Sequence, residues 1–211
     1  MYTCANCNIH GCKSGKMEGV SKNCPCKDEI IEESKKLYKD KENMKIAHAA
    51  AEVEGEGYCK WTRLQEIMEF SRKCAYKNLG IAFCIGLKEE VKILTKILKY
   101  NGFHVNSIVC KNGAIDKSFI NIEDETKLCG EGFEAMCNPI GQALFLNKSK
   151  TDFNILLGLC VGHDSLFIKY SKAPITVLVA KDRVLAHNPI GALYQAEAYY
   201  KNKLFKNNNI K

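Results

Sequence analysis

The sequence predicts an α/β protein: a Rossmann-like body with a mainly parallel sheet and helices on both faces, preceded by a cysteine-rich N-terminal metal module and helices. Three observations predict it. From residue 79 onward, short apolar runs of strand length alternate with amphipathic helical stretches, an order that right-handed crossovers turn into a parallel sheet covered on both faces. The phrase Asn-Pro-Ile-Gly occurs at 138–141 and again at 188–191, each time offering an N-cap Asn followed by Pro at the first helical position. Residues 1–26 carry five of the chain's 12 cysteines and almost no large apolar side chains, so they cannot close around an apolar core.

Taken in order, residues 28 to about 56 carry two helical stretches, lysine-rich and then alanine-rich, before the turn-like Gly-Glu-Gly-Tyr of 55–58. Trp61 to Lys77 gives a third helix, with Leu64, Ile67, Met68, Phe70, Ser71 and Cys74 near one face. LGIAFCIGL at 79–87 reads as a buried strand, EEVKILTKILKYNG as a helix stopped by Gly102, and FHVNSIVC at 103–110 as a second strand. After a polar loop come the first Asn-Pro-Ile-Gly helix, the run FNILLGLCVG at 153–162, a short helix near 164–171, the strand PITVLVA at 174–180 and the second Asn-Pro-Ile-Gly helix. The expected organisation is therefore a metal-binding module over 1–27, a helical segment over 28–78 and an α/β body over 79–211.

At 211 residues and 46% hydrophobic content the chain can bury one sizeable core. The net charge of +7 comes from lysines spread among acidic residues, as in KDEIIEESKKLYKDKE at 27–42. That pattern is a solvated helix face, without the basic and aromatic interleaving of a nucleic-acid surface. No apolar stretch follows Met1 and no run approaches the roughly 20 residues that span a bilayer. The expectations are a cytoplasmic protein, no membrane and no nucleic acid. In a reducing compartment so many cysteines point to metal binding or thiol chemistry rather than to a disulfide framework.

The first constellation is C-x2-C-x4-C-x11-C-x-C, formed by Cys4, Cys7, Cys12, Cys24 and Cys26 with His10 inside it. Four soft ligands from this set suit a tetrahedral zinc or an iron–sulfur cluster, and either supplies the folding energy that an apolar core does not. A zinc ribbon would show two C-x2-C knuckles, whereas the second pair here is Cys-Pro-Cys. The departure favours iron and sulfur, with zinc as the alternative.

The second constellation depends on the fold. In a parallel sheet every strand ends on one side, where helix N-termini project their positive dipole ends. Cys84 lies near the end of the first strand, Cys110 ends the second, Cys160 closes NILLGLC, and Cys137 precedes a helix. With His163, and with His187 before the second Asn-Pro-Ile-Gly, they are expected at one edge. Free cysteine is also a common core residue, and Cys84 within IAFCIG suits a core position. Cysteine at a helix N-terminus gains thiolate character, which serves metal ligation and nucleophilic attack alike. Cys84, Cys110, Cys137, Cys160 and His163 are accordingly the candidate cofactor-binding residues, or redox thiols tuned by His163 and Asp164. Cys59 and Cys74 have no partners at ligand spacing and read as structural. No G-x-G-x-x-G, Walker A, H-E-x-x-H or G-x-S-x-G pattern occurs, so no catalytic residue is assigned.

The phrases CANCNIHGC, MCNPIGQA, GLCVGHDSLF and AKDRVLAHNPIGALY together resemble, over nearly the full length, a prokaryotic family of uncharacterised cysteine-rich metal-binding proteins common in anaerobes, a domain of unknown function. The resemblance implies metal binding through cysteines in an anaerobe's cytosol and carries no reaction with it. The leading expectation is an iron–sulfur protein with a redox partner protein. A thiol-dependent redox or sulfur-transfer enzyme, and a zinc-folded structural or interaction protein, are the alternatives.

Overall fold

The computed structural model describes Tyr2 and residues 4–205, and the chain divides into two compact units, residues 1–59 and 60–211. In the first unit the cysteine-rich stretch forms a 3-10 turn at Cys4–Asn6, the single helical turn α1 (Gly11–Ser14) and a second 3-10 turn at Pro25–Lys27. Val20 is its one buried large apolar side chain among the described residues. The helices α2 (Ile30–Leu37) and α3 (Lys41–Gly57) follow. Asp40 caps α3 by accepting from the N–H groups of Glu42 and Asn43, both at 3.0 Å. The helix runs through Gly55 and Gly57, where the sequence reads as a turn. Each glycine costs about 1 kcal/mol against alanine, which weakens a long alanine-rich helix without stopping it; the chain turns only at Cys59, with φ 56°.

The second unit opens with α4 (Arg63–Lys73), closed at its start by a reciprocal capping box between Thr62 and Gln65. Ile67, Met68, Ser71 and Cys74 are buried, the face expected from their spacing. Four strands follow, β1 (Asn78–Phe83), β2 (His104–Val109), β3 (Phe153–Leu157) and β4 (Ile175–Val179). They form one sheet in the order β2-β1-β3-β4, and all three pairings are parallel. The fold is thus α/β with a wholly parallel sheet. α5 (Lys88–Tyr100) links β1 to β2, and α6 (Pro139–Lys148) links β2 to β3. These crossovers run in opposite directions across the sheet, so right-handed connections put the two helices on opposite faces. On the α6 face Ala82 packs with Ala143, Leu146, Leu156 and Phe167. Gly80 is required there, because a Cβ would lie 2.0 Å from Oδ1 of Asn154.

Two of the later elements decide where the sulfurs go. α7 (His163–Tyr170) starts after a turn in which Gly158 takes φ 68° with Leu87 Cδ1 2.2 Å from the position of any Cβ. Larger residues are excluded there on both counts. The two Asn-Pro-Ile-Gly segments differ. Asn138 caps α6 as expected, its Oδ1 accepting from Gly141 N–H at 2.8 Å. The second segment gives only the five-residue α8 (Ile190–Tyr194), which starts after Pro189 without a side-chain cap; α9 (Lys201–Leu204) ends the described chain. The side chain of Asn138 is also tied to Asn112, by Nδ2 to Oδ1 at 3.1 Å, whereas Asn188 is exposed. The cap motif is the same in both, but only the first is realised as a cap, with Asn112 beside it. Replacing Asn138 by Ala should cost about 1 kcal/mol or more and lower the thermal midpoint by roughly 2–4 °C, while Asn188→Ala leaves it unchanged; thermal unfolding followed by circular dichroism separates the two.

Candidate functional site

The order of the sheet reverses between β1 and β3, and outside the carboxyl ends at such a reversal α/β sheets bind ligands. Cys84 is the first residue past β1 and Cys110 the first past β2. Cys110 N–H donates to Phe83 O at 2.8 Å, and Asn138 N–H donates to Cys110 O at 2.7 Å, which brings Cys137 against Cys110. The long connection that separates them folds back through a bridge between Asp116 and Ala135. Asp116 fastens it by accepting from Ser118 and Glu134 N–H, bonds that hold its carboxyl down at about 2. Cys84, Cys110 and Cys137 share one cluster with Ala82, Ala143 and Phe167.

The sulfurs lie in a line of interacting side chains. Cys110 packs in one cluster with Cys84 and Cys137, its sulfur accepts from Ile85 N–H, beside Cys84, at 3.4 Å, and Cys84 and Cys137 act on it from its two sides, with His163 acting on Cys137. Cys110, Gly86 N–H and the charge of Lys181 lower the Cys84 thiol to about 5 against burial. Cys137 is lowered to about 4 by Cys110 and then by His163, with Lys111 adding its charge. Cys110 moves the opposite way: two neighbours that prefer to be thiolates, together with burial, push it up, so it holds its proton longest. His163 is raised by Cys137. The arrangement places a thiol that is pushed up between two that are lowered, with an imidazole that is pushed up at the outer end. Cys160 stands beside this line: its sulfur accepts from Arg183 Nη2 at 3.0 Å, while its carbonyl accepts from His163 and Asp164 N–H at the start of α7.

Five of the residues expected at this edge are therefore found there: Cys84, Cys110, Cys137, Cys160 and His163. His187 is not used in the same way. Its Nδ1 accepts from Asp182 N–H at 3.1 Å and its own N–H donates to Asp182 O at 2.8 Å, so it closes the loop after β4 on itself. That loop presents Lys181 and Arg183, which the sequence reading passed over, as it did Lys111. The signal was the adjacency of VCK to the end of β2 and of AKDR to the end of β4. Gln142 was also missed. It is fully buried, and its Nε2 donates to Phe83 O at 3.1 Å and Ile108 O at 2.7 Å, leaving Oε1 without a partner. This side chain ties α6 to the ends of β1 and β2.

Among the described residues no group of three or more His, Cys, Asp or Glu side chains is arranged to hold a metal ion. In the N-terminal unit Cys26 is bonded to Cys24 and lies within reach of the charges of Cys12 and Cys4, which push its thiol up. The sulfur of Cys7 instead takes hydrogen bonds from the N–H groups of His10 and Ile9, which lower it.

One family profile, described as a protein of unknown function, DUF1847, matches residues 23–178. The chain belongs to the DUF1847 family. The matched span contains Cys84, Cys110, Cys137, Cys160 and His163, together with Cys24 and Cys26. Over 203 residues the chain is 49% identical to the uncharacterised protein MJ0455 of Methanocaldococcus jannaschii, covering 96% of this chain and 98% of that one. No solved structure matches.

Within this DUF1847 chain Gln142 gives a direct test of how the edge is held. Gln142→Leu keeps the volume but removes the donors to two buried carbonyls, a loss of about 1–3 kcal/mol. Denaturant unfolding should show a lower midpoint with an unchanged slope.

Proposed function

We propose that the protein is a thiol-dependent redox or sulfur-transfer protein whose reacting sulfur is Cys137. The observation that carries this reading is the gathering of Cys84, Cys110 and Cys137 in one cluster outside the carboxyl ends of β1 and β2, with His163 acting on Cys137. A thiolate is the nucleophile in attack on a disulfide or other electrophilic sulfur. Cys137 is half-buried, whereas Cys84 and Cys110 are 9% and 3% exposed, so a sulfur substrate meets Cys137 first. His163 stabilises the thiolate, and Lys111, Lys181 and Arg183 make the surroundings cationic.

Alkylation by iodoacetamide, followed at each cysteine by mass spectrometry between pH 5 and 9, tests this. The thiol of Cys137 lies near 4 rather than 9.0, so its alkylation rate should change little over the range. An ordinary thiol slows about tenfold for each pH unit below its pKa. Cys110 is the larger support of the Cys137 thiolate and His163 the next, so His163→Gln should bring back part of the fall in rate on acidification. A Cys137 rate that already falls tenfold per unit in the unmodified protein would sink the reading.

A second reading is favoured by the N-terminal unit, where Cys4, Cys12 and Cys24 act electrostatically on Cys26 and only Val20 supplies a buried large apolar side chain among residues 4–27. Under it, four of Cys4, Cys7, Cys12, Cys24 and Cys26 hold a soft metal centre, either an iron–sulfur cluster that would exchange electrons with a redox partner protein or a zinc that folds the segment. Elemental analysis after anaerobic purification should find stoichiometric metal that disappears in Cys24→Ser/Cys26→Ser, with Cys137 alkylation unchanged. Metal that persists in that variant and is lost in Cys137→Ser/Cys160→Ser would assign a cofactor to the body set, Cys84, Cys110, Cys137, Cys160 and His163, and overturn the thiol reading.

A further inference from the structure

We propose that Cys110 is a shared resolving thiol, placed to close a disulfide with Cys137 on one side or with Cys84 on the other. The inference rests on the thiol reading above and adds the identity of the second sulfur. Its basis is backbone placement. Cys84 and Cys110 immediately follow the last paired positions of β1 and β2, Phe83 and Val109. Neighbouring strands lie about 4.8 Å apart, inside the roughly 4.4–6.8 Å between Cα atoms that a disulfide spans. On the other side, the peptide between Cys137 and Asn138 is bonded to the carbonyl of Cys110 at 2.7 Å. Cys84 and Cys137 share one packed cluster with Cys110, and the Cys110 sulfur accepts from Ile85 N–H, the residue after Cys84, at 3.4 Å, whereas the Cys160 sulfur accepts from Arg183.

With a low-molecular-weight disulfide as oxidant the steps balance. The Cys137 thiolate attacks one sulfur of the disulfide, that S–S bond breaks, and one thiolate leaves. Cys110 passes its proton to the Cys84 thiolate and attacks the Cys137 sulfur of the mixed disulfide, releasing the second thiolate. One external disulfide has been reduced to two thiols, and two protein thiols have been oxidised to one disulfide. Cys84 can then attack the Cys110 sulfur, giving its proton to the departing Cys137 thiolate, so that the bond moves inward and Cys137 is restored. Three sulfurs in this arrangement make one disulfide at a time, always through Cys110.

The test uses the full chain and a limiting amount of bis(2-hydroxyethyl) disulfide, with acid quenching and non-reducing tryptic mass spectrometry. Residues 100–111, which carry Cys110, should be found joined to 78–88, which carry Cys84, or to 128–148 through Cys137. In Cys110→Ser and Cys110→Ala the mercaptoethanol adduct on Cys137 should accumulate at least tenfold over the unmodified protein. If the adduct on Cys137 is equally abundant with and without Cys110, or if 78–88 is joined directly to 128–148, Cys110 is not the resolving thiol while the role of Cys137 stands. If Cys137 forms neither adduct nor disulfide in any of these proteins, the thiol reading itself fails. The cross-link map of the unmodified protein decides the matter even if both variants fold poorly.

Discussion

β1 pairs in parallel with β2 on one side and with β3 on the other, and the rest of the site depends on that double pairing. Because all the strands point the same way, their last residues arrive at one edge, and the chain must leave that edge each time it turns into a helix. The carbonyl of Phe83, at the end of the central strand, is the local anchor: it accepts from Cys110 N–H and from the buried amide of Gln142. Through these bonds one strand end fixes its neighbour strand and the helix that follows it. An antiparallel arrangement would have sent Cys84 and Cys110 to opposite ends of the sheet.

What the pairing gathers is chemically unfavourable unless it is compensated. Three sulfurs at the rim of an apolar cluster cannot all ionise, since like charges at close range raise one another's pKa. The protein resolves this by splitting the roles. Cys110, Gly86 N–H and Lys181 lower the Cys84 thiol, Cys110, His163 and Lys111 lower that of Cys137, and Cys110 between them is pushed up. The cations come from three different places: the residue after Cys110, the start of α7 and the self-closed loop after β4. Each lies next to a strand end or at a helix start.

Much of this was legible in the sequence. Alternating apolar runs and helical periods gave the parallel sheet, and Cys84, Cys110 and Cys160 could be placed at its edge because each stands at or just past the end of an apolar run. Cys137 was legible through the Asn-Pro start signal beside it. The same signal misled at His187, because a cap motif records only what is favourable locally, and the second copy lacks a partner such as Asn112. Lys111, Lys181 and Arg183 were missed for a related reason: a lysine in a lysine-rich chain carries no mark of what it faces. Gln142 sits among apolar positions of α6, and nothing in its spacing distinguishes a tethering amide from a solvent-facing one.

Cys84, Cys110 and Cys137 are each about 26 residues apart along the chain, and in the unfolded polypeptide such loops would rarely be closed. Cross-linking either pair would remove about 3.5 kcal/mol of chain entropy from the unfolded ensemble, on the loop-closure account. The native fold has already met that cost in forming its sheet, so it accepts the bond with little rearrangement. Oxidation and folding are then coupled through a single thermodynamic cycle. The more securely the strands are paired, the harder such a disulfide would be to reduce, so that the stability of an otherwise ordinary parallel sheet would set the redox poise of a bond closed at its edge.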